Sequence, residues 1–179
     1  MNAILRINKI QIELGYKELE CICDCLEDCQ KNKAVFHELA KLNCVDIKVS
    51  VACRKTIHPG TIKILLEDTD IEVLRMVVNN SHIKSYMRTQ DFEHLLSTGD
   101  SIIFKDVADD LEFYVEEIGI DLLWLCNELI TRGDLSVKHT LVENDCVPIE
   151  VLKKLTQDED INIRETAKET LCRIIEDKE

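Results

Sequence analysis

Apolar residues recur along this chain in one spacing, which appears five times. A leucine is followed eight residues later by an aliphatic residue, and an apolar pair lies four and five residues beyond that. The leucines are Leu39, Leu65, Leu95, Leu129 and Leu155, the aliphatics are Ile47, Val73, Ile103, Val137 and Ile163, and the pairs begin at Val51, Val77, Val107, Leu141 and Ala167, of which the last is followed by Lys168 and matches only in part. Because residues four and five apart lie about one turn apart, the last three positions of each unit fall on one helix face.

A polar corner separates the leucine from the helix that follows it in each unit. The residue five positions after the leucine is Asp70, Asp100, Asp134 or Asp160, and Cys44 in the first unit. A helix that begins one residue later needs its N-cap at this position. An aspartate there accepts a backbone N–H bond and favours the positive end of the helix dipole. Each unit is therefore predicted to be a helix, a capped turn and a second helix.

Helix pairs this short cannot bury both of their apolar faces alone, so stacked pairs share one continuous core. The spacing predicts an all-α fold, in which residues 1–179 form a single α-solenoid domain wound as a right-handed superhelix. We expect an N-terminal helical cap at 1–31 and about five repeats at 33–57, 58–82, 83–110, 111–146 and 147–175. The competing interpretation is a globular bundle whose helices share a spacing by chance, and five units in one register argue against it.

Three stretches of the chain resemble the leucine-rich variant repeat and its HEAT relatives, which are helical solenoids. They are His58-Pro59 with Leu65-Leu66-Glu67-Asp68, Val73, Val77-Val78 and Asn80; Val137-Lys138 with Leu141-Val142 and Asn144; and Val147-Pro148 with Leu152, Leu155, Asp158, Ile163-Arg164 and Ala167. This class favours a basic residue after the aliphatic, which Lys48, Lys138 and Arg164 supply, whereas Leu74 and Phe104 depart from it. The resemblance covers residues 33–175 and implies an architecture, not an activity.

Two of the units are longer than the others, with extra residues around 83–92 and 111–120. Insertions in repeat proteins usually emerge on one face, which is often the binding face. The alternative is that they adjust curvature or lengthen a helix. Phe113 and Tyr114 lie in the second insertion and are flanked by Glu112, Glu116 and Glu117, so these five are the candidate partner-binding residues. Phe104 and Trp124 lie beside aliphatic residues and are predicted to be in the core.

The formal charge of −13 limits the classes of partner. Phosphate backbones bind clusters of lysine and arginine, so direct nucleic-acid binding is not expected. Residues 100–121 hold eight carboxylates and one lysine, which favours a protein partner with a basic or mixed surface. No apolar run reaches the roughly 18–20 residues that a bilayer span needs, and the first residues lack a signal-peptide pattern. A cytoplasmic protein is therefore expected. The polar C-terminus, Asp177, Lys178 and Glu179, favours a monomer.

Four cysteines lie close together near the N-terminus, at Cys21, Cys23, Cys25 and Cys29. Thiolates bind zinc and iron–sulfur clusters, and such a cluster accompanies some leucine-rich variant proteins. One helix would place Cys21, Cys25 and Cys29 along one stripe and Cys23 with the apolar side chains, so it could not wrap four ligands around a metal. Packing cysteines in the cap are favoured, and no cofactor is predicted. The remaining five cysteines, at 44, 53, 126, 146 and 172, are expected to fill the core or its margin.

No catalytic motif is found in the sequence. The five histidines have no metalloprotease spacing, and no glycine-rich phosphate loop or nucleophile elbow is present. The favoured hypothesis is a non-catalytic protein-interaction scaffold. The alternatives are a metal or iron–sulfur protein that uses the N-terminal cysteines, and an acidic inhibitor that mimics nucleic acid. An enzyme ranks last.

Overall fold

A computed structural model of the chain describes residues 3–7 and 10–176. The predicted all-α class is confirmed, since helices make up most of the described chain. Residues 177–179, which carry the predicted solvated end, lie outside the described residues, as do positions 1, 2, 8 and 9 of the predicted cap. The chain divides into two compact units, Met1–Tyr86 (unit 1) and Met87–Glu179 (unit 2). A single domain with all five pairs stacked in one superhelix stays a prediction.

The N-terminal segment differs from the predicted helical cap. An antiparallel hairpin comes first, formed by β1 (Ala3–Ile7) and β2 (Ile10–Leu14) with Ala3 opposite Leu14. Helix α1 (Tyr16–Cys25) follows it, and a short 3₁₀ turn spans Gln30–Asn32. The prediction of helix was wrong for the hairpin. Ile10, Ile12 and Leu14 alternate with polar residues up to a glycine, and this period of two is the strand signal.

Unit 1 contains two helix pairs and a short connecting helix. They are α2 (Lys33–Ala40) with α3 (Val45–Ala52), α4 (Pro59–Leu66) with α5 (Ile71–Asn79), and α6 (Ser81–Lys84). The first helices, α2 and α4, pack together, and α3 packs between α1 and α5. Helix α1 therefore takes the place of a second helix at the start of the stack. That the segment caps a solenoid stays a prediction.

Unit 2 contains the other three pairs. They are α7 (Thr89–Ser97) with α8 (Ser101–Asp109), α10 (Leu122–Arg132) with α11 (Leu135–Glu143), and α12 (Ile149–Leu155) with α13 (Ile161–Glu176). Between α8 and α10 lie a helical turn, α9 (Leu111–Phe113), and a π-helix at Tyr114–Ile118. Helix α11 packs between α8 and α13, and α10 packs between α7 and α12. No helix in the described part of the chain is long and apolar enough to cross a membrane.

The repeated apolar positions form the core of both units. All five anchoring leucines, the five aliphatics and the members of the apolar pairs are buried, except Lys168, which is exposed. The predicted caps are also present. Asp70 accepts from the N–H of Glu72 at 2.9 Å, and Asp100 from that of Ile103 at 3.0 Å. The equivalent bonds of Asp134 and Asp160 measure 2.9 and 2.8 Å, whereas Cys44 makes no side-chain cap.

Among the described residues, a partly buried ion pair links consecutive repeats in each unit. Lys48 on α3 donates to Asp68 at 2.6 Å, and Lys138 on α11 donates to Asp158 at 2.7 Å. Each lysine follows the repeat aliphatic, and each aspartate lies three residues after the next leucine. Each aspartate also accepts the N–H of the following N-cap residue. The basic residue noted in the sequence therefore has a partner in the next repeat.

A second polar link joins the far ends of the second helices. Asn80 donates to the carbonyl of Ala52 at 2.6 Å, and Asn144 donates to that of Ala108 at 3.1 Å. Thr170 takes the equivalent position in the last pair and donates to the carbonyl of Val142 at 2.6 Å. Helix carbonyls at a C-terminus have no partner within the helix, so each donor satisfies an end of the preceding helix. This link holds neighbouring second helices side by side, with the C-terminal end of one fixed against the next.

Candidate protein-interaction surface

The N-terminal cysteines are not gathered into a site. Cys21 and Cys25 are exposed on α1, whereas Cys23 is buried beside Leu19. The predicted stripe was wrong for Cys29, because α1 ends at Cys25 and Cys29 precedes the 3₁₀ turn. Among the described residues, no group of three histidine, cysteine or acidic side chains could hold a metal ion.

The cysteine-bearing segment instead makes polar contacts with the residues that directly follow α3. Arg54 donates to the carbonyl of Cys23 at 2.8 Å, and its guanidinium lies 5.4 Å from the centre of the Phe36 ring. Asp28 accepts from the backbone N–H groups of Lys55 and Thr56 at 2.7 and 2.9 Å. Burial raises the pKa of the Cys23 thiol, and the nearby Arg54 offsets this only in part. These contacts hold the segment in place structurally, and the Cys23 thiol within it is protonated and packed.

Three of the five scattered cysteines lie in the core or at its margin, as predicted, and two do not. Only Cys126 among them is buried, and burial raises the pKa of its thiol to about 12. Cys44 and Cys146 are half-buried, whereas Cys53 and Cys172 are exposed. The apolar positions of the repeat are already filled by aliphatic residues, so most of the cysteines lie outside the repeated core positions.

The predicted partner-binding residues lie in α9 and the π-helix, and they divide into two groups. Glu112, Glu116 and Glu117 are exposed and Phe113 is half-buried. Tyr114 is fully buried, so its prediction as a partner-contacting side chain was wrong. A helical turn places neighbouring residues on different faces. Glutamates next to an aromatic residue in the sequence therefore do not show whether its ring is exposed or buried.

The Tyr114 ring packs in an aromatic cluster beneath this segment. Its centre lies 4.8 Å from that of Phe92 and 5.7 Å from that of Phe113, both edge to face. The phenol hydroxyl is buried and has no hydrogen-bond partner among the described residues. Burial raises the pKa of Tyr114, and the carboxylates of Asp110 and Asp106 raise it further. The unpartnered hydroxyl of Tyr114 therefore lies close enough to Asp106 and Asp110 for their charges to affect its pKa.

The other predicted core aromatics have different positions. Phe104 is buried, as predicted, and takes the place of a lysine after the repeat aliphatic. Trp124, in the first turn of α10, is only half-buried, so it is not a core residue. Its backbone N–H donates to the carboxylate of Asp121 at 3.0 Å, and this N-cap bond fixes the start of the helix.

Acidic residues from two distant stretches are brought together at the ends of α8 and α11. The Asn144–Ala108 hydrogen bond of 3.1 Å joins the two helix ends. Glu143 and Asp145 flank the asparagine, and Asp109 and Asp110 follow the alanine directly. The two acidic corners therefore lie against each other. Residues 36 positions apart meet here, as the hydrogen bond records, and the sequence alone did not indicate this.

The electrostatics of this corner show a local excess of negative charge. Burial raises the pKa of Asp109, Lys105 lowers it, and Asp106, Asp110 and Glu143 raise it again. Burial likewise raises the pKa of the Cys146 thiol, with further increases from Glu112, Asp145 and Glu116. The α9 segment therefore lies beside the corner that carries Cys146. We call this set the acidic surface, which consists of Asp106, Asp109, Asp110, Glu112, Glu116, Glu143 and Asp145.

One arginine partly offsets the charge of the acidic surface. Arg173 on α13 pairs with Asp145, and both side chains are more than half exposed. Such exposed pairs contribute little to stability, commonly about 0–1 kcal/mol. The pair limits the charge at one edge but does not neutralise the surface.

The acidic surface lies in the unit that carries the charge of the chain. Unit 1 has twelve basic and twelve acidic side chains, so its formal charge is zero. Unit 2 has ten basic and 23 acidic side chains, which accounts for the whole charge of −13. The uneven acidity noted in the sequence thus follows the structural division.

Comparison with protein-family models, curated proteins and solved structures found no match.

Proposed function

We propose that this chain is a non-catalytic protein-interaction module, which binds the basic surface of another protein through the acidic surface of unit 2. The observation that carries the proposal is the junction of two acidic corners through the Asn144–Ala108 bond. Like charges held together are unfavourable, and the raised pKa of Asp109 reflects this together with its burial. A cationic partner would relieve the repulsion on binding.

The repeat architecture supports this role. In our proposal the five helix pairs stack into one right-handed solenoid, and the insertion at 111–120 provides part of its binding face. Glu112 and Glu116 of the insertion lie beside Cys146, which follows the second helix of the same repeat. A monomeric cytoplasmic scaffold whose partner contributes lysine and arginine fits the charge of unit 2, and electrostatic steering would speed its association at low salt.

A matched pair of charge-reversal variants tests the assignment. Glu112→Lys, Glu116→Lys and Glu143→Lys are combined in one variant of the full chain. The control combines Glu150→Lys, Glu159→Lys and Glu169→Lys, which are exposed in the same unit and change the net charge equally. The probe is a short lysine-rich peptide with a fluorescent label, titrated at low and at physiological salt.

We expect the first variant to lose about tenfold in affinity, or about 1.4 kcal/mol, and the control to lose less than about threefold. Wild-type binding should weaken as salt rises, because exposed charges are screened. Equal losses in both variants would mean that only the net charge of the unit matters, and the acidic surface would then be no specific site. Circular dichroism of each variant checks that the helices are retained.

A further inference from the structure

Helix α4 in unit 1 begins with a histidine cap. The helix starts at Pro59, and His58 is its N-cap residue. The backbone N–H of Gly60 donates to Nδ1 of His58 at 3.0 Å. Proline at the first helical position has no N–H, so Gly60 carries the first backbone donor of the helix that needs a partner. An imidazole nitrogen therefore accepts here, where an aspartate carboxylate accepts at the start of α5.

The bond from Gly60 fixes the protonation state of the His58 ring. A ring nitrogen accepts only through its lone pair, so Nδ1 carries no proton and the neutral ring has its proton on Nε2. In the imidazolium ion both nitrogens are donors. Protonation of His58 would therefore set two N–H groups against each other and leave the Gly60 amide without its acceptor. The positive end of the helix dipole would oppose the added charge as well.

A second imidazole, from the preceding helix pair, lies against the same turn. The ring centres of His37 on α2 and His58 are 5.9 Å apart, with the ring planes at 63°. A methyl group on Gly60 would lie 3.2 Å from Nδ1 of His58 and 3.3 Å from Cε1 of His37, so both rings flank this glycine. Two imidazolium ions at such a separation repel each other. The arrangement therefore favours neutral rings.

The bond of His37 differs from that of His58, because it can persist in either protonation state. Nδ1 of His37 lies 2.9 Å from Oγ1 of Thr61, which is buried on α4. A threonine hydroxyl can donate to a neutral ring or accept from a protonated one. His37 therefore links α2 to α4 throughout, and the bond that protonation would break is the His58 cap.

The charged groups around the two rings leave a proton on His58 without an ion-pair partner. Helices α2, α3 and α5 pack against α4. Besides His37, they carry Lys33 and Glu38, Asp46 and Lys48, and Glu72 and Arg75 in that order, while α4 carries Lys63 and the segment before it Arg54 and Lys55. Glu38 pairs with Lys41 at 2.8 Å and also attracts a charge on His37. Among the described residues, neither imidazole forms an ion pair with a carboxylate.

We propose that His58 is a proton-sensitive cap, which holds the first turn of α4 at neutral pH and releases it as the pH falls. An unperturbed imidazole is half protonated near pH about 6.5. The unfolded chain takes up this proton freely, whereas the folded chain loses the Gly60 bond, so the stability of the turn decreases as the pH drops through this range. The cap lies in unit 1, and the proposal does not depend on the proposed function of unit 2.

NMR of the full chain tests both parts of the proposal. Long-range ¹H–¹⁵N spectra at about pH 7.5 should show Nδ1 of His58 as an unprotonated nitrogen. The amides of Thr61 and Ile62 donate to the carbonyl of His58 at 2.8 and 3.1 Å and report on the turn. After correction for the intrinsic pH dependence of hydrogen exchange, we expect their protection to be about fivefold lower at about pH 5.5 than at about pH 7.5, the size of a lost N-cap.

One amide in the same unit provides an internal control. The N–H of Glu72 donates to the carboxylate of Asp70 at the start of α5. An aspartate ordinarily stays ionised down to about pH 4, so the protection of this amide should be the same at both pH values. An equal loss at Glu72 would show that acid loosens the unit as a whole, and the proposal would be overturned.

A matched pair of variants locates the effect. His58→Asn keeps a cap whose oxygen accepts at any pH, so the protection of Thr61 and Ile62 should no longer depend on pH. His139→Asn, which removes a half-buried histidine from α11, should behave like the wild type. A proton on Nδ1 of His58 at neutral pH would refute the assignment, as would unchanged protection in the wild type or an undiminished pH response in His58→Asn.

Discussion

Units 1 and 2 are built with the same internal links and differ in their surfaces. Each has a partly buried lysine–aspartate pair between repeats and at least one polar side chain that donates to the C-terminal end of the preceding second helix. Yet the formal charge is zero in unit 1 and −13 in unit 2. The comparison teaches that the repeated positions determine the core and the polar bonds between repeats. The net charge is carried by positions outside the repeated pattern, which can differ between units.

The links themselves differ in burial between the units. Asn80 in unit 1 is buried and donates to two carbonyls, those of Ala52 and Arg54, while its oxygen accepts from the N–H of His82. Asn144 in unit 2 is half-buried and donates to one carbonyl, and its oxygen accepts from the N–H of Cys146. The same repeat position should therefore contribute more stability in unit 1.

Replacement of these two asparagines should have the largest effect. Asn80→Ala leaves buried carbonyls without donors and removes a helix cap, so we expect a loss of about 2–4 kcal/mol of unfolding free energy. Asn144→Ala should cost about 1–2 kcal/mol. Urea unfolding with hydrogen exchange resolved to each unit measures both. The exposed neighbour Asn79→Ala is the control and should cost less than about 0.5 kcal/mol. Equal costs at positions 80 and 144 would contradict the comparison.

A glycine in each unit offers a second contrast. A methyl group at Gly133, between α10 and α11, would lie 2.5 Å from the carbonyl oxygen of Leu129 and 2.8 Å from the Cβ of Val137. One at Gly15, before α1, would meet only the flexible carboxylate of Glu18. We expect Gly133→Ala to cost about 1–3 kcal/mol, because the backbone has to shift.

Thermal unfolding of the two glycine variants provides the measurement. Gly15→Ala serves as the control and should change the midpoint little. A Gly133→Ala protein as stable as the wild type would show that the corner between α10 and α11 can open without cost, contrary to the short contacts expected for a methyl group there.

The smallest expected effect is on acid stability in unit 2. The hydroxyls of Ser136 and Ser101 hold the pKa of Asp134 at about 2, below its ordinary value of 3.8. A carboxyl whose folded pKa is lowered stabilises the fold above the ordinary value, and this contribution is lost as the pH falls through about 2. Ser136→Ala should raise the pKa of Asp134. Asp134→Asn should make the stability of α11 depend less on pH between about 2 and 3.8.

Carbon-detected NMR titration of Asp134 and acid unfolding of the two variants provide the check. An Asp134 pKa that stays the same in Ser136→Ala would show that the serine hydroxyl is not its main stabilising donor. The Ser101→Ala variant should give a smaller increase, since Ser101 lowers the pKa of Asp134 less than Ser136 does.

The candidate site could be predicted only in part. The surplus of acid around 100–121 was visible in the sequence, and Glu112 and Glu116 do lie on the acidic surface. Their neighbours Glu143 and Asp145 come from a later corner, and no local pattern links them to Asp109. Tyr114 shows the converse error, because a ring beside three glutamates is nevertheless buried against Phe92.

By itself the sequence determined the helix pairs, their caps and their core. The spacing of Leu65, Val73 and Val77 places these side chains on buried faces, and Asp70 caps the turn between them, because helix periodicity and capping are local properties. Only the tertiary structure decided which residues of different repeats meet, such as Lys48 with Asp68. It also decided the pairing of the strands Ala3–Ile7 and Ile10–Leu14, since a short alternating segment becomes a strand only when a second one pairs with it.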